Sequence, residues 1–297
     1  MTMKRWIVVT VITMVLAWVS ASYGAMKVFV SIPPQKWLVE AVGGELVSVE
    51  LLVRAGQDPH TFEPRPKQVA ALSRAKVWYT LGMEFEKRLQ EKVQAVAPGL
   101  TVIDMSREVE KVVMVEDGHE HGGHDSSGHD AHGEEPLDPH VWLSPVNLQI
   151  MSRTVAETLA AGDPANGEEY RRKQMVVEAQ LETLNQKLLE MLKPYRGASF
   201  FVFHPSFGYF GNAYGLVQEP VELEGKSPGP RQLSALIAKA KAQQVKVIFV
   251  QPQFDPKAAQ AVAAAIGGSV VPLDSLAEDV PANLQVMATK IEDALKK

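Results

Sequence analysis

The sequence predicts an α/β protein made of two halves, each with a mainly parallel sheet flanked by helices. Short β-branched and apolar runs alternate with helix-compatible segments, an order typical of parallel sheets covered on both faces. The alternation occurs twice, on either side of a long helix-compatible stretch at residues 164–193. A length of 297 residues, 46% of them hydrophobic, favours two domains over one and excludes a disordered chain.

The first 25 residues have the pattern of a cleaved export signal. Lys4 and Arg5 form a positive start, Trp6–Val19 is apolar, and small residues between Ala21 and Ala25 provide the cleavage site. A membrane anchor is the alternative, but the apolar run is shorter than the ~20 residues that a spanning helix needs. The chain has no cysteine, so neither disulfides nor a thiol-linked lipid is expected. We therefore expect a periplasmic monomer without a stable membrane anchor.

The N-terminal half, residues 26–145, begins with alternating strands and helices. Pro33-Pro34 ends the first strand and opens a helix, and Gly43-Gly44 turns the chain into the second strand. The predicted strands are 27–32, 46–53, 77–81 and 100–103, and the predicted helices are 33–42, 67–74 and 84–96. Residues 116–137 carry acidic residues and histidines without any lysine or arginine, so we predict a disordered surface loop there.

A helical connection is predicted over residues 146–195. A helix at 145–160 is followed by Asp163-Pro164, which offers an N-cap and a proline at the first helical position, and Pro194 ends the pattern. A continuous helix over 164–193 would be ~45 Å long. It is either an ordinary amphipathic helix or a rigid strut between the two halves.

The C-terminal half, residues 196–297, repeats the order of the first. Its predicted strands are 199–203, 216–223, 245–250 and 269–272, and its predicted helices are 231–243, 256–266 and 282–295. Acidic residues outnumber basic ones by 35 to 30, and no basic stripe follows any element. The composition therefore argues against nucleic-acid binding.

Three scattered histidines and one aspartate are candidate metal ligands. His60, His140 and His204 lie in turn-rich segments next to proline, and Asp274 follows a predicted strand. Loops from distant parts of a chain converge beyond the carboxyl ends of parallel strands, and three imidazoles with one carboxylate form a tetrahedral zinc shell. Each residue alone also fits a structural role, because single loop histidines are common and Asp274 could cap a turn.

The sequence motifs around these histidines resemble those of the metal-binding solute-binding proteins of zinc and manganese ABC transporters. The motifs are GQDPHTFEP at 56–64, DPHVWLSP at 138–145, HPSFGYF at 204–210, ELEGKSP at 222–228 and FVQPQF at 249–254. The resemblance covers the chain from about Met26 to Leu295. It implies two lobes joined by one long helix, a metal site in the cleft between them, and an ABC permease in the membrane as the partner.

Carried over residue by residue, the resemblance implies ligands at His60, His140, His204 and Asp274. A histidine at position 204 suits Zn²⁺, whereas the manganese and iron members commonly have glutamate there. The fourth ligand is Asp274 or water. Asp58 and Asp138, two residues before their histidines, either orient the imidazoles or cap turns.

The histidine-rich tract is a second candidate for metal binding. Insertions of this kind resemble those of the zinc-binding members and imply an auxiliary site, although a solvated linker has the same composition. A flexible tract cannot pre-organise a coordination shell, so we expect it to bind more weakly than the cleft. Its histidines are His119, His121, His124, His129 and His132.

The predicted function is a high-affinity periplasmic zinc receptor that catalyses no reaction. The first alternative is the same transport role with Mn²⁺ or Fe²⁺. The second is a secreted zinc hydrolase with Glu222 or Glu224 as base. The chain contains neither a His-Glu-x-x-His helix nor a nucleophile elbow, which argues against hydrolysis.

Overall fold

Two four-stranded parallel sheets form the framework of the protein. A computed structural model describes residues 24–114, 137–222 and 229–296. The strands of the first sheet are β1 (Met26–Val30), β2 (Val47–Leu51), β3 (Val77–Thr80) and β4 (Thr101–Asp104). Those of the second are β5 (Ser199–Val202), β6 (Val217–Pro220), β7 (Val247–Val250) and β8 (Ser269–Pro272). All pairings between these strands are parallel, so the predicted fold class is confirmed.

The two sheets have the same topology. Their strand orders are β2-β1-β3-β4 and β6-β5-β7-β8, so in each sheet the chain places its second strand at one edge before it crosses to the other side. The inner strand β3 is buried along its whole length, whereas the edge strand β4 is only partly covered. Continuous apolar sequence is what a strand covered on both faces requires. Because the two sheets share one strand order, the second half repeats the first as predicted.

Helices connect the strands and cover the sheets. Those of the first half are α1 (Pro33–Gly43), α2 (Pro66–Leu72) and α3 (Glu84–Gln94). They are followed by α4 (Pro145–Gly162), α5 (Gly167–Leu192) and α6 (Gly208–Tyr214), and then by α7 (Pro230–Ala242), α8 (Lys257–Ile266) and α9 (Val280–Leu295). In the described ranges, no helix combines the length and the apolar character needed to cross a membrane.

The long helix α5 is shorter than the predicted 30 residues. It contains 26 residues, about 39 Å at 1.5 Å per residue, because Pro164–Asn166 form a separate 3₁₀ turn. Asp163 stabilises this turn by accepting hydrogen bonds from Asn166 Nδ2 at 2.6 Å and Tyr170 Oη at 3.0 Å. The helix packs against α1 of the first half, against the neighbouring helix α4 and against α9 of the second half. It thus connects both sheets to one continuous apolar core.

Helix α6 is absent from the sequence-based prediction. Its sequence, GYFGNAY, contains two glycines, which lower the intrinsic preference for a helix. Packing decides the conformation instead, because Tyr209, Phe210 and Tyr214 are buried on one side. Gly211 is needed there, since a Cβ atom at this position would lie 2.9 Å from the carbonyl oxygen of Leu216.

Two predicted segments lie almost entirely outside the described residues. The export signal at residues 1–25 is described only for its last two residues, and the loop at 116–137 only for Leu137. Leu137 forms an isolated antiparallel bridge with Val113. The two ends of the loop region are thus adjacent on the first half.

Candidate metal centre

His60, His140 and His204 converge although 80 and 64 residues separate them in sequence. His60 lies in the loop between β2 and α2, His140 directly precedes the 3₁₀ turn that leads into α4, and His204 follows β5. One nitrogen from each ring can be chosen so that all three lie within 4.8 Å of one another. The three rings therefore form a cluster to which both halves of the chain contribute.

The separation of the imidazoles suits a shared metal ion. The Nε2 atoms of His60 and His204 are 3.1 Å apart. Two nitrogen ligands at 2.0–2.1 Å from a tetrahedral zinc ion lie about 3.3 Å from each other, so little movement is needed. The ring centroid of His140 lies 5.5 Å from that of His60 and 5.3 Å from that of His204. The third imidazole is therefore next to the other two.

Two buried carboxylates hold two of the rings. Asp138 Oδ1 is 2.7 Å from His140 Nδ1 and also accepts a hydrogen bond from the His140 backbone N–H at 2.9 Å. Glu222 Oε1 likewise contacts the Nδ1 atom of the His204 ring. Both residues are at most 4% exposed. A carboxylate on Nδ1 fixes the tautomer in which Nε2 carries the lone pair, and this is the arrangement that typically orients histidine ligands.

Asp58 has a different role from Asp138. Its carboxylate accepts hydrogen bonds from the backbone N–H of His60 at 2.9 Å and from Thr61 Oγ1 at 3.0 Å. These contacts shape the turn that carries His60 and do not involve its ring. Asp58 thus contacts the backbone of its histidine, whereas Asp138 contacts both the backbone and the ring; that either residue orients a metal ligand stays a prediction.

The protein surroundings lower the pKa values of two of the histidines. Burial is the main cause of the lowered pKa of His140, and the negative charge of Asp138 opposes it. The pKa of His60 is lowered by desolvation and by the neighbouring imidazole of His204, although the residue as a whole is exposed. Neutral imidazoles are the form that binds metal, so both shifts favour binding over protonation.

Gln251 fixes the loop that carries His204. It is fully buried, and its Nε2 donates to the His204 carbonyl at 2.7 Å and to Ser206 Oγ at 2.8 Å. Its Oε1 accepts from the His204 backbone N–H at 3.3 Å. Phe254 covers the His204 ring with a centroid distance of 4.9 Å. The sequence analysis did not assign these roles, nor that of Glu222, but all three follow β6 or β7 at the sheet edge where the ligands were expected.

Contacts between the two halves stabilise the cluster from outside. Trp142 Nε1 donates to the carbonyl oxygen of Ser275 at 2.7 Å, and Tyr209 Oη donates to that of Asp138 at 3.1 Å. A Cβ atom on Gly208 would lie only 2.7 Å from Asp138 Oδ2. Helix α6 therefore begins directly against the carboxylate that orients His140.

Asp274 is engaged by the protein's own donors. Its Oδ1 accepts hydrogen bonds from the Leu276 backbone N–H at 2.9 Å and from Gln253 Nε2 at 3.1 Å. Among the described residues, the group of mutually close His, Asp and Glu ligand atoms comprises the three histidines and does not include Asp274. Its role as a fourth ligand stays a prediction. The five histidines of the tract, from His119 to His132, lie outside the described residues.

Comparison with known proteins identifies close similarity along almost the whole chain. Residues 28–297 match the family model ZnuA, described as the periplasmic component A of the zinc-uptake complex. A high-affinity zinc uptake system protein ZnuA from Brucella suis is 29% identical over 307 residues, covering 91% of this chain and 92% of its own. The Bacillus subtilis protein of the same name is 31% identical, covering 77% of this chain and 71% of its own.

Solved structures give the same result. A crystal structure of ZnuA superposes with a TM-score of 0.82 at 39% identity and covers 91% of this chain and 99% of that one. A ZnuA deletion mutant crystallised with zinc bound gives a TM-score of 0.81 at 39% identity, with 91% and 98% covered.

Proposed function

The chain belongs to the family of periplasmic zinc-uptake components A, and on this premise we propose that it binds Zn²⁺ in the periplasm and delivers it to an inner-membrane ABC permease. It is a metal-binding receptor for zinc uptake and not an enzyme. The observation that carries the proposal is the convergence of three imidazoles, two of them oriented by buried carboxylates. The hydrolase alternative is set aside because the chain belongs to a family of solute-binding proteins.

The proposed ligands are His60, His140 and His204, with Asp274 or water as the fourth. A nitrogen-rich set of ligands favours Zn²⁺ over Mn²⁺ and Fe²⁺, which prefer more oxygen donors. The alternative cargo predicts a different metal in protein purified from metal-replete cells. Mass spectrometry of metals in such a preparation is expected to find zinc, and a preparation that holds manganese or iron instead would contradict the assignment.

The two halves are proposed to act as lobes around the ion. Residues 26–145 form the first lobe, 146–195 the helical connection and 196–297 the second lobe, after removal of the signal at 1–25. Because α5 packs against both halves, the cleft is largely formed before the ion arrives. Small-angle scattering is expected to give nearly the same radius of gyration with and without Zn²⁺. Mass spectrometry of the exported protein is expected to find its first residue between Ser22 and Met26.

The ligand assignment is tested by replacing each histidine with alanine. Since each ring supplies one of about four zinc bonds, His60→Ala, His140→Ala and His204→Ala should each weaken binding by several orders of magnitude. Competition calorimetry against a zinc chelator measures the tight site. The matched control is deletion of residues 118–132, which removes five histidines and is expected to leave one tight site. Unchanged affinity in the three alanine variants would overturn the assignment.

A further inference from the structure

Gln253 lines the histidine cavity and has a hydrogen-bonding atom that the protein does not use. The cavity has a volume of about 10 Å³, and its lining includes the three histidines together with Gln253 and Phe254. This small space among the imidazoles is where a bound ion would lie, so Gln253 would be close to that ion. The Oε1 atom of Gln253 is buried and has no hydrogen-bond partner among the described residues.

The position of Gln253 is set by its neighbours in the chain. Gln251 on one side holds the His204 loop through the hydrogen bonds described above, and Phe254 on the other packs on the His204 ring. A hydrogen bond from the Phe254 N–H to the Gln251 carbonyl oxygen at 3.1 Å closes the turn between them. Gln253 thus lies on a short turn that is attached to a metal ligand at both ends.

Asp274 fixes the orientation of the Gln253 amide. Gln253 Nε2 donates to Asp274 Oδ1 at 3.1 Å. An ionised carboxylate only accepts hydrogen bonds, so the reversed amide would place two acceptors against each other. Asp274 is itself held by the Leu276 N–H. The amide is therefore locked with its oxygen as the free group.

We infer that Gln253 is the positioning residue of the fourth coordination site, where its Oε1 accepts a hydrogen bond from a water molecule bound to the ion. The inference rests on the proposed zinc-binding function. Three imidazoles leave room for a further ligand, and a metal-bound water is a strong hydrogen-bond donor. Asp274 then acts through Gln253 and does not bind the ion. Of the two alternatives for the fourth ligand, Asp274 and water, the inference assigns water.

The direct test uses the Co²⁺-loaded protein in water enriched in oxygen-17. Electron–nuclear double resonance is expected to detect an oxygen-17 nucleus coupled to the ion in the wild-type protein. No such coupling, in a protein that binds Zn²⁺ tightly, would overturn the inference while leaving the proposed function intact. Absence of tight Zn²⁺ binding in the wild type would instead refute the proposed function.

Substitutions separate the positioning role from a merely structural one. Gln253→Met keeps the length of the side chain and removes the acceptor, so it should weaken Zn²⁺ binding about 10- to 100-fold and shift the Co²⁺ visible spectrum. Asp274→Asn keeps an acceptor for Gln253 and Leu276, so it should weaken binding less and preserve the spectrum. A larger loss and a changed spectrum in Asp274→Asn, or wild-type behaviour of Gln253→Met, would contradict the inference.

A second glutamine provides the matched control. Gln285 on α9 also has a buried Oε1 without a partner in the described part of the chain, and its Nε2 contacts Met191 Sδ at 3.7 Å. It is not among the residues that line the histidine cavity. Gln285→Met should therefore leave both the Zn²⁺ affinity and the Co²⁺ spectrum unchanged. Thermal unfolding of each variant without metal verifies that all of them fold.

Discussion

Glu222 provides a sharp test of how the protein holds His204. The carboxylate is 4% exposed and contacts His204 Nδ1, so it orients the ring and stabilises its N–H donor. Glu222→Gln keeps an oxygen that can accept this hydrogen bond but removes the charge, whereas Glu222→Ala removes the acceptor altogether. Hydrogen bonds to charged groups are roughly twice as strong as neutral ones. Glu222→Ala should therefore weaken Zn²⁺ binding more than Glu222→Gln.

The expected magnitudes follow from this geometry. Loss of an outer partner of a metal ligand typically lowers affinity by about 10- to 100-fold, equivalent to about 1.4–2.8 kcal/mol. We place Glu222→Gln near the lower end of this range and Glu222→Ala near the upper end. The expected order of Zn²⁺ affinities is wild type, then Glu222→Gln, then Glu222→Ala.

Chelator competition followed by calorimetry measures these affinities. The control is Glu219→Gln on the preceding strand, because the Glu219 carboxylate pairs with Lys239 Nζ at 2.7 Å away from the histidines. It should bind Zn²⁺ like the wild type. Equal affinities for the wild type and both Glu222 variants, all folded, would refute the orienting role. So would a loss in Glu219→Gln as large as that in Glu222→Gln.

Three further predictions follow from the structure. Zn²⁺ affinity should decline mainly below about pH 6.5, because the pKa values of His60 and His140 are lowered; a decline centred above pH 6.5 in calorimetric titrations would contradict this. Gly208→Ala should weaken Zn²⁺ binding about tenfold by displacing Asp138, and unchanged affinity by chelator competition would disprove that coupling. Burial raises the pKa of Glu86 to about 7. Its contribution to stability is therefore fully present below pH 4.5, where the carboxyl is neutral, and is lost as pH rises towards 7. Glu86→Gln should therefore raise the free energy of unfolding at pH 8, by up to about 3 kcal/mol, and leave it nearly unchanged at pH 4; urea denaturation showing the same difference at both pH values would refute this.

Local sequence signals were enough for most of the framework. The strands of both sheets contain short β-branched and apolar runs, and Pro33 and Pro145 mark the starts of helices as expected. Element ends differ by a few residues, as at α5, where the 3₁₀ turn at Pro164–Asn166 depends on side-chain hydrogen bonds from Asp163. Helix α6 was missed because its glycines oppose a helix locally and only burial of its aromatic side chains favours it.

The fold class, the family motifs and the three candidate histidines are readable from the sequence, because apolar periodicity and imidazole chemistry are properties of the residues themselves. Which side chains meet depends on tertiary packing. Nothing in the spacing of Glu222 and His204 indicates that their side chains touch, and Gln251 and Gln253 acquire their roles from a turn that packs against a distant loop. Asp274 shows the same limit. The sequence places a carboxylate at the expected sheet edge, but the hydrogen bonds from Leu276 and Gln253 determine what that carboxylate can do.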